Sequence, residues 1–212
     1  MQLSESQHTL LERYVHAVET SPHNLVSRRA RGELRDRHLP ECLAFAATLP
    51  QGPGRVLDVG SGGGFPGMVV AIARPDLEVT LLDSTRKKVA FLQEFSSEVG
   101  LPVRAIHGRA EEVSRTELGA SFDVVTARAV APLERLVGWT VPFLRPGGFV
   151  YAIKGERWQE ELAAAGPALR EWGAEAVATP QELGDSPDGV RPLVVIIRRT
   201  PRAGTSTTEG NR

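Results

Sequence analysis

The feature that most constrains this chain is an apolar run that dissolves into glycines. Val56-Leu57-Asp58-Val59 has the make-up of a buried strand, Gly60-Ser61-Gly62-Gly63-Gly64-Phe65-Pro66-Gly67 is a turn, and Met68 to Ala73 resumes as an apolar helical run. Glycines reach positive φ and put no Cβ between main chain and ligand, while the helix start beyond them offers free N–H groups to an anion. The segment therefore reads as a cofactor loop.

The strand-then-helix theme repeats along the chain. Residues 55–60, 79–83, 103–108, 122–128 and 148–154 are apolar or β-branched runs separated by helical patterns, which implies a parallel sheet. Two further runs, 174–178 and 193–198, are joined by a Gly, Asp, Ser and Pro-rich loop too short for a helical crossover, so they should pair antiparallel. The expectation is an α/β fold: seven strands, mostly parallel, with an antiparallel last strand.

Before the sheet, Leu3, Leu10, Leu11, Tyr14, Val15 and Val18 recur at helical spacing up to Ser21-Pro22, and a second apolar helix spans 39–49. Between them lie five arginines, at 28, 29, 31, 35 and 37. The net charge is only −1, so any basic surface must be local, and this segment is where it is expected to hold phosphates. Domain boundaries are read as 1–50 for an N-terminal helical extension carrying that segment, 51–199 for the sheet domain, and 200–212 for a polar tail expected to be disordered.

The single cysteine, Cys42, excludes an internal disulfide and a thiol metal site, and reads as a small buried apolar residue in a reducing compartment. No run approaches the roughly 20 apolar residues that span a bilayer, so the expectation is a cytoplasmic protein with no membrane partner and no metal.

Which cofactor the loop takes is constrained by Phe65. Counted from Gly60, it occupies the third glycine position of the dinucleotide fingerprint, where a small residue is needed for helix–strand packing, and this argues against a nicotinamide cofactor. In S-adenosylmethionine the anion would be the methionine carboxylate. Asp83 ends the second strand 23 residues after Gly60, where a carboxylate can accept both ribose hydroxyls of an adenosyl group, and Ala110 and Glu111 follow the third strand, beside the adenine. Arg86, Lys87 and Lys88 read as a solvated helix face.

The fourth strand delivers Thr126-Ala127-Arg128-Ala129-Val130-Ala131-Pro132 to the same edge. It holds neither the Asp/Asn-Pro-Pro-aromatic segment common for methylation of exocyclic base nitrogens nor the cysteine that C5 methylation of a pyrimidine requires. Guanine N7 carries a lone pair and no proton, so alignment without a general base suffices, and Arg128 can hold guanine O6, cofactor or phosphate, or be a structural ion pair.

Together these residues resemble the glucose-inhibited division protein B family of bacterial small-subunit ribosomal RNA guanine-N7 methyltransferases, from about His23 to Arg198. The resemblance rests on Asn24-Leu25, Arg37-His38, the loop Asp58–Gly67, Leu81-Leu82-Asp83-Ser84, Lys87–Phe91, Arg128-Ala129-Val130-Ala131-Pro132-Leu133, Ala152-Ile153-Lys154-Gly155 and Leu193–Ile196. It implies a Rossmann-like class I methyltransferase fold, S-adenosyl-L-methionine as cofactor, and 16S ribosomal RNA as partner, within a 30S particle, for a monomeric enzyme. By the same resemblance Gly60, Phe65, Asp83, Ser84, Thr85, Ala110, Glu111 and Arg128 line the cofactor site, while Asn24, His38, Arg109, Arg128, Lys154 and Arg191 take RNA-side or catalytic roles. The alternative is a methyltransferase for a small molecule or protein, favoured if the arginine segment proves buried or internally paired.

Overall fold

Strand residues of this chain are apolar on both faces, and the structure, a computed structural model describing residues 1–177, 181–183 and 192–201, uses both. Val56, Leu81, Val124, Ile153 and Ile196 face one apolar layer; their neighbours Leu57, Leu82, Val125, Ala152 and Ile197 face the other. A sheet covered on both sides accounts for runs without polar alternation.

The sheet is built from β1 (Gly54–Val59), β2 (Leu77–Asp83), β3 (Arg104–His107), β4 (Phe122–Arg128), β5 (Leu144–Lys154), β6 (Ala174–Ala176), β7 (Gln181–Glu182) and β8 (Leu193–Arg199), in the order β3-β2-β1-β4-β5-β8-β6. The first five positions are parallel throughout. β8 returns antiparallel between β5 and β6, and the short β7 continues along the edge of β8 beyond β6, so eight strand segments fill seven positions. The antiparallel pairing expected of the runs at 174–178 and 193–198 is present as β6 with β8, with β8 inserted inside the sheet rather than at its rim.

One face carries α1 (Glu5–Thr20), α3 (Leu39–Thr48), α4 (Gly67–Ala73) and α5 (Arg86–Val99); the other carries α6 (Ala110–Val113), α7 (Leu133–Thr140), α8 (Trp158–Ala164) and α9 (Gly166–Glu171). Ser4 caps α1 in a reciprocal box with Gln7, and Leu11, Tyr14, Val15 and Val18, spaced three and four apart, are its buried stripe. Gly100, in the left-handed region at φ 67, ends α5. Between α1 and α3 the basic segment folds as α2 (Arg28–Gly32) and a wide helical turn, Leu34–His38.

The chain runs outward from β1 through β2 to β3 and then crosses back to β4 on the other side of β1. At such a reversal the loops leaving the C-terminal strand ends diverge, and the crevice between them is where open α/β sheets bind ligands. The glycine loop after β1 and Ala129–Pro132 after β4 flank it.

Candidate active site

The floor of the crevice is set by register. Asp58 on β1 lies opposite Thr126 on β4, and the Thr126 hydroxyl donates to Asp58 Oδ1 at 2.7 Å. The N–H of Gly67, first residue of α4, donates to the other oxygen at 3.2 Å; a Cβ on Gly67 would sit 2.5 Å from that oxygen. Burial nonetheless pushes the Asp58 carboxyl up to about 6.

The glycine loop is fastened on two sides. Gly60 and Ser61 both donate their N–H groups to the Leu82 carbonyl, at 2.8 and 3.1 Å, and Gly62 donates to Asp83 Oδ2 at 2.8 Å. From the other side the buried Tyr14 hydroxyl donates to the Gly63 carbonyl. Gly64 has φ 81, and a Cβ there would fall 1.9 Å from the Tyr14 hydroxyl, so only glycine fits.

A cavity of about 200 Å³ opens beside the loop. It is lined by Gly60, Asp83, Ser84, Ala110 and Glu111, five of the residues expected to hold the cofactor, together with Arg109, Val130 and Trp139. Asp83 accepts Gly62 N–H and, at 2.8 Å, Thr85 N–H, one on each oxygen, and each oxygen keeps a second acceptor site for a hydroxyl. Three expected residues lie elsewhere. Thr85 caps α5 with an exposed side chain, Phe65 packs on Tyr14 with ring centroids 5.6 Å apart, and Arg128 faces a neighbouring cavity.

That second cavity, about 430 Å³, is lined by Arg37, Glu41, Arg128, Lys154, Arg157 and Glu161, among others. Val130 lines both cavities and is the wall between them. It is turned into that position by Ala129, whose φ of 54 is unusual for a residue with a side chain, and it rests where a Cβ on Gly60 would be, 2.7 Å from its Cγ2.

Arg128 is tied to α3. Its Nη2 donates to Glu41 Oε2 at 3.0 Å and to His38 Nδ1, and its Nη1 donates to Cys42 Sγ at 3.3 Å. Arg37 Nε reaches the other Glu41 oxygen at 2.9 Å. Because an arginine only donates, His38 Nδ1 is the acceptor there, and its 3.4 Å approach to Glu41 is no second donation. Burial alone would raise the Glu41 carboxyl, but the charge of Arg128 and the hydrogen bond from Arg37 hold it below the ordinary value. Burial pushes the Cys42 thiol up to about 12, so Cys42 is the inert buried residue its sequence position implied. Lys154 Nζ pairs with Glu161 at 2.6 Å and donates to the Ala131 carbonyl at 2.9 Å, holding down the far end of the β4 loop.

The structure thus brings Arg128 and Lys154 to one cavity, with His38 in contact with Arg128, and Arg109 to the adjoining one, while Asn24 is exposed on the segment that covers Gly63. Arg191 lies outside the described residues, as does most of the polar tail and Ala178.

The arginine segment differs from its expected role. Arg31 donates to the carbonyls of Glu19, Ser21 and His23, Arg35 pairs with Glu12 and Glu19, Arg29 with Glu33, and Arg37 with Glu33 and Glu41. Arg28 is exposed without a partner among the described residues. The acids that satisfy these arginines come largely from α1 and α3, a pairing that linear charge counting does not see.

Sequence reasoning passed over Glu41, Asp58, Tyr14, Val130 and Glu161. Two of them carried a signal: Asp58 is a lone acid inside a strand, and Glu41 an acid inside an apolar helix. Among the described residues no group of three His, Cys, Asp or Glu is placed to hold a metal ion, and no helix is long and apolar enough to cross a membrane.

A family model described as rRNA small subunit methyltransferase G matches residues 7–185. Proteins named ribosomal RNA small subunit methyltransferase G are similar to this chain in Nocardioides sp., 42% identical over 89% of this chain and 74% of theirs, and in Streptomyces coelicolor, 40% identical over 89% and 83%. Among solved structures, M. jannaschii TYW2 in complex with AdoMet superposes with a TM-score of 0.61 at 16% identity, over 82% of this chain and 78% of that one. Geranyl diphosphate methyltransferase in complex with SAM does so with a TM-score of 0.59 at 18%, over 87% and 95%. At these identities the two structures speak for the fold.

Proposed function

The chain belongs to the rRNA small subunit methyltransferase G family, and on that premise we propose that it transfers a methyl group from S-adenosylmethionine to N7 of one guanine in 16S ribosomal RNA. The observation that carries the choice of atom is the substrate-side cavity: it presents cations, and each of its carboxylates is already engaged, Glu41 by Arg37 and Arg128, Glu161 by Lys154 and the Leu133 N–H. A nucleophile that must lose a proton would find no free carboxylate base there; guanine N7 needs none.

The residues present fit the cofactor. Gly60 lines the cavity with main chain and leaves room for the Val130 wall, Asp83 has acceptor sites to spare for ribose hydroxyls, and Ala110 with Glu111 closes the adenine side. When bound, S-adenosylmethionine supplies an electrophilic methyl whose C–S bonding pair stays with sulfur as the bond to nitrogen forms. The protein contributes alignment: Val130 at the wall between the cavities sets the approach, and donors left over on Arg128 hold guanine O6 or an adjoining phosphate, away from the attacking lone pair. Thr85 shapes the start of α5 around Asp83, and Phe65 supports the glycine loop from behind. Arg109 and Lys154 on the cavity walls, His38 against Arg128, and Asn24, exposed on the segment over the glycine loop, serve the RNA side.

A second reading, a small molecule or protein as acceptor, is favoured by the internal pairing of Arg29, Arg31, Arg35 and Arg37. Family membership outweighs it, because other cations at the sheet edge, Arg109 and Arg157 among them, are exposed and have no partner among the described residues. Labelled methyl transfer to 30S particles, to protein-free 16S RNA and to a cytoplasmic small-molecule extract separates the readings. Label that enters 30S particles and is released by ribonuclease supports the proposal; label only in the small-molecule or protein fraction overturns it.

A further inference from the structure

Arg128 lines the cavity from the end of β4, His38 meets it from the N-terminal helical segment, and one buried carboxylate touches both. Glu41 is 8% exposed and receives Arg37 on one oxygen and Arg128 on the other, with His38 Nδ1 against that second oxygen. We infer that Glu41 is a positioning residue for the methyl transfer: it holds the Arg128 guanidinium in the orientation that presents its remaining donors to the entering base.

Two features make this more than a fastening of α3 to the sheet. First, the contacts of Arg128 use Nη1 once and Nη2 twice, on Cys42, Glu41 and His38; Nε has no partner among the described residues, and the side chain lines the cavity. A long side chain with one side fixed and the other unused is oriented in advance, which lowers the entropy lost when a base binds. Second, the base gains positive charge as N7 is alkylated, and an uncompensated guanidinium beside it would oppose that. The ionised Glu41 offsets the local positive charge without standing in the path of the methyl group.

The inference rests on the reading of this cavity as the acceptor site, so its test includes a readout that needs no acceptor. Glu41→Gln keeps the shape and removes the charge. The expected result is a fall in kcat on 30S particles of about 100-fold, the scale of a misplacement near 1 Å. Cofactor Kd should stay within twofold and Tm within a few degrees. In an Arg128→Gln background the same change should cost less than threefold more, because the two residues act as a unit. Glu41→Asp, which keeps the charge but shortens the reach, serves if the glutamine variant does not fold; it should remain folded and lose at least tenfold in kcat. Without any acceptor, rotation of the Arg128 guanidinium about its Nε–Cζ bond, followed by NMR, should be slow in the wild type and accelerate in Glu41→Gln. Multiplicative losses in the double variant, a kcat unchanged in both position-41 variants, or an Arg128 side chain equally mobile with and without the carboxylate would overturn the inference. If the wild type proves inactive on RNA while Arg128 is immobilised by Glu41, the acceptor assignment fails and the positioning does not.

Discussion

Tyr14 presses its hydroxyl onto the glycine loop from α1, and Gly64 is the residue that lets it. Gly64→Ala puts a Cβ within bonding distance of that oxygen at a backbone angle alanine rarely takes, so it should cost on the order of 3 kcal/mol. A urea midpoint unchanged from the wild type would show that the loop does not depend on the contact. Asp58 makes a prediction in pH. Its carboxyl is raised from 3.8 to about 6 by burial. Between those values the folded protein keeps a proton that the unfolded chain has released, so stability falls as pH rises through the window, by roughly 3 kcal/mol in total. Asp58→Asn lacks that titration; wild-type stability should therefore gain relative to the variant as pH is lowered from 7 to 4, in denaturation series at each pH. A constant difference would mean that Asp58 ionises in its site as freely as in water.

At the scale of elements, the arginines between α1 and α3 join helices. Arg31 closes the C-terminal end of α1 by donating to the carbonyls of Glu19 and of the cap residue Ser21, where the helix leaves its acceptors unpaired, and to His23 in the loop beyond. Arg31→Ala should lower the melting temperature while leaving the slope of log binding constant against log salt for RNA unchanged, since a residue that neutralises no phosphate releases no counterion. A slope reduced by about one unit would return Arg31 to the phosphate role its sequence suggests. The parallel strands and β8 were legible because each is an apolar run of strand length between breakers, and β4 falls at the bounds its residues mark, Phe122–Arg128, whereas β7, Gln181–Glu182, is polar and was not expected. Insertion of β8 between β5 and β6 was not legible: antiparallel pairing follows from loop length, but which edge a strand joins depends on apolar faces that only the assembled sheet presents. The pairing of the arginine segment was hidden for the same reason, its acids lying up to 23 residues away in sequence.

For the whole molecule, the residues of the proposed cofactor side could be grouped from the chain because glycines and an acid at strand ends have few other uses. Gly60, Asp83, Ala110 and Glu111 line one cavity as expected. The acceptor side was legible only in part. Arg128 and Lys154 stand at the ends of adjacent strands, β4 and β5, where topology brings them together, but Glu41 arrives from a helix 87 residues away, and its place in an apolar helix marks it as unusual without saying which residue it meets. The molecule is a covered sheet whose crevice, at the reversal between β1 and β4, is closed on one side by the N-terminal helices and divided by Val130 into two cavities, which we propose take cofactor and acceptor. The identity of the product tests that division of labour most directly: methyl transfer to 30S particles from cells lacking the enzyme, followed by nucleoside digestion and mass spectrometry. The label should be in 7-methylguanosine, at one site and in stoichiometric yield; label in any nucleoside methylated on an exocyclic nitrogen, on carbon or on ribose would contradict the proposed chemistry.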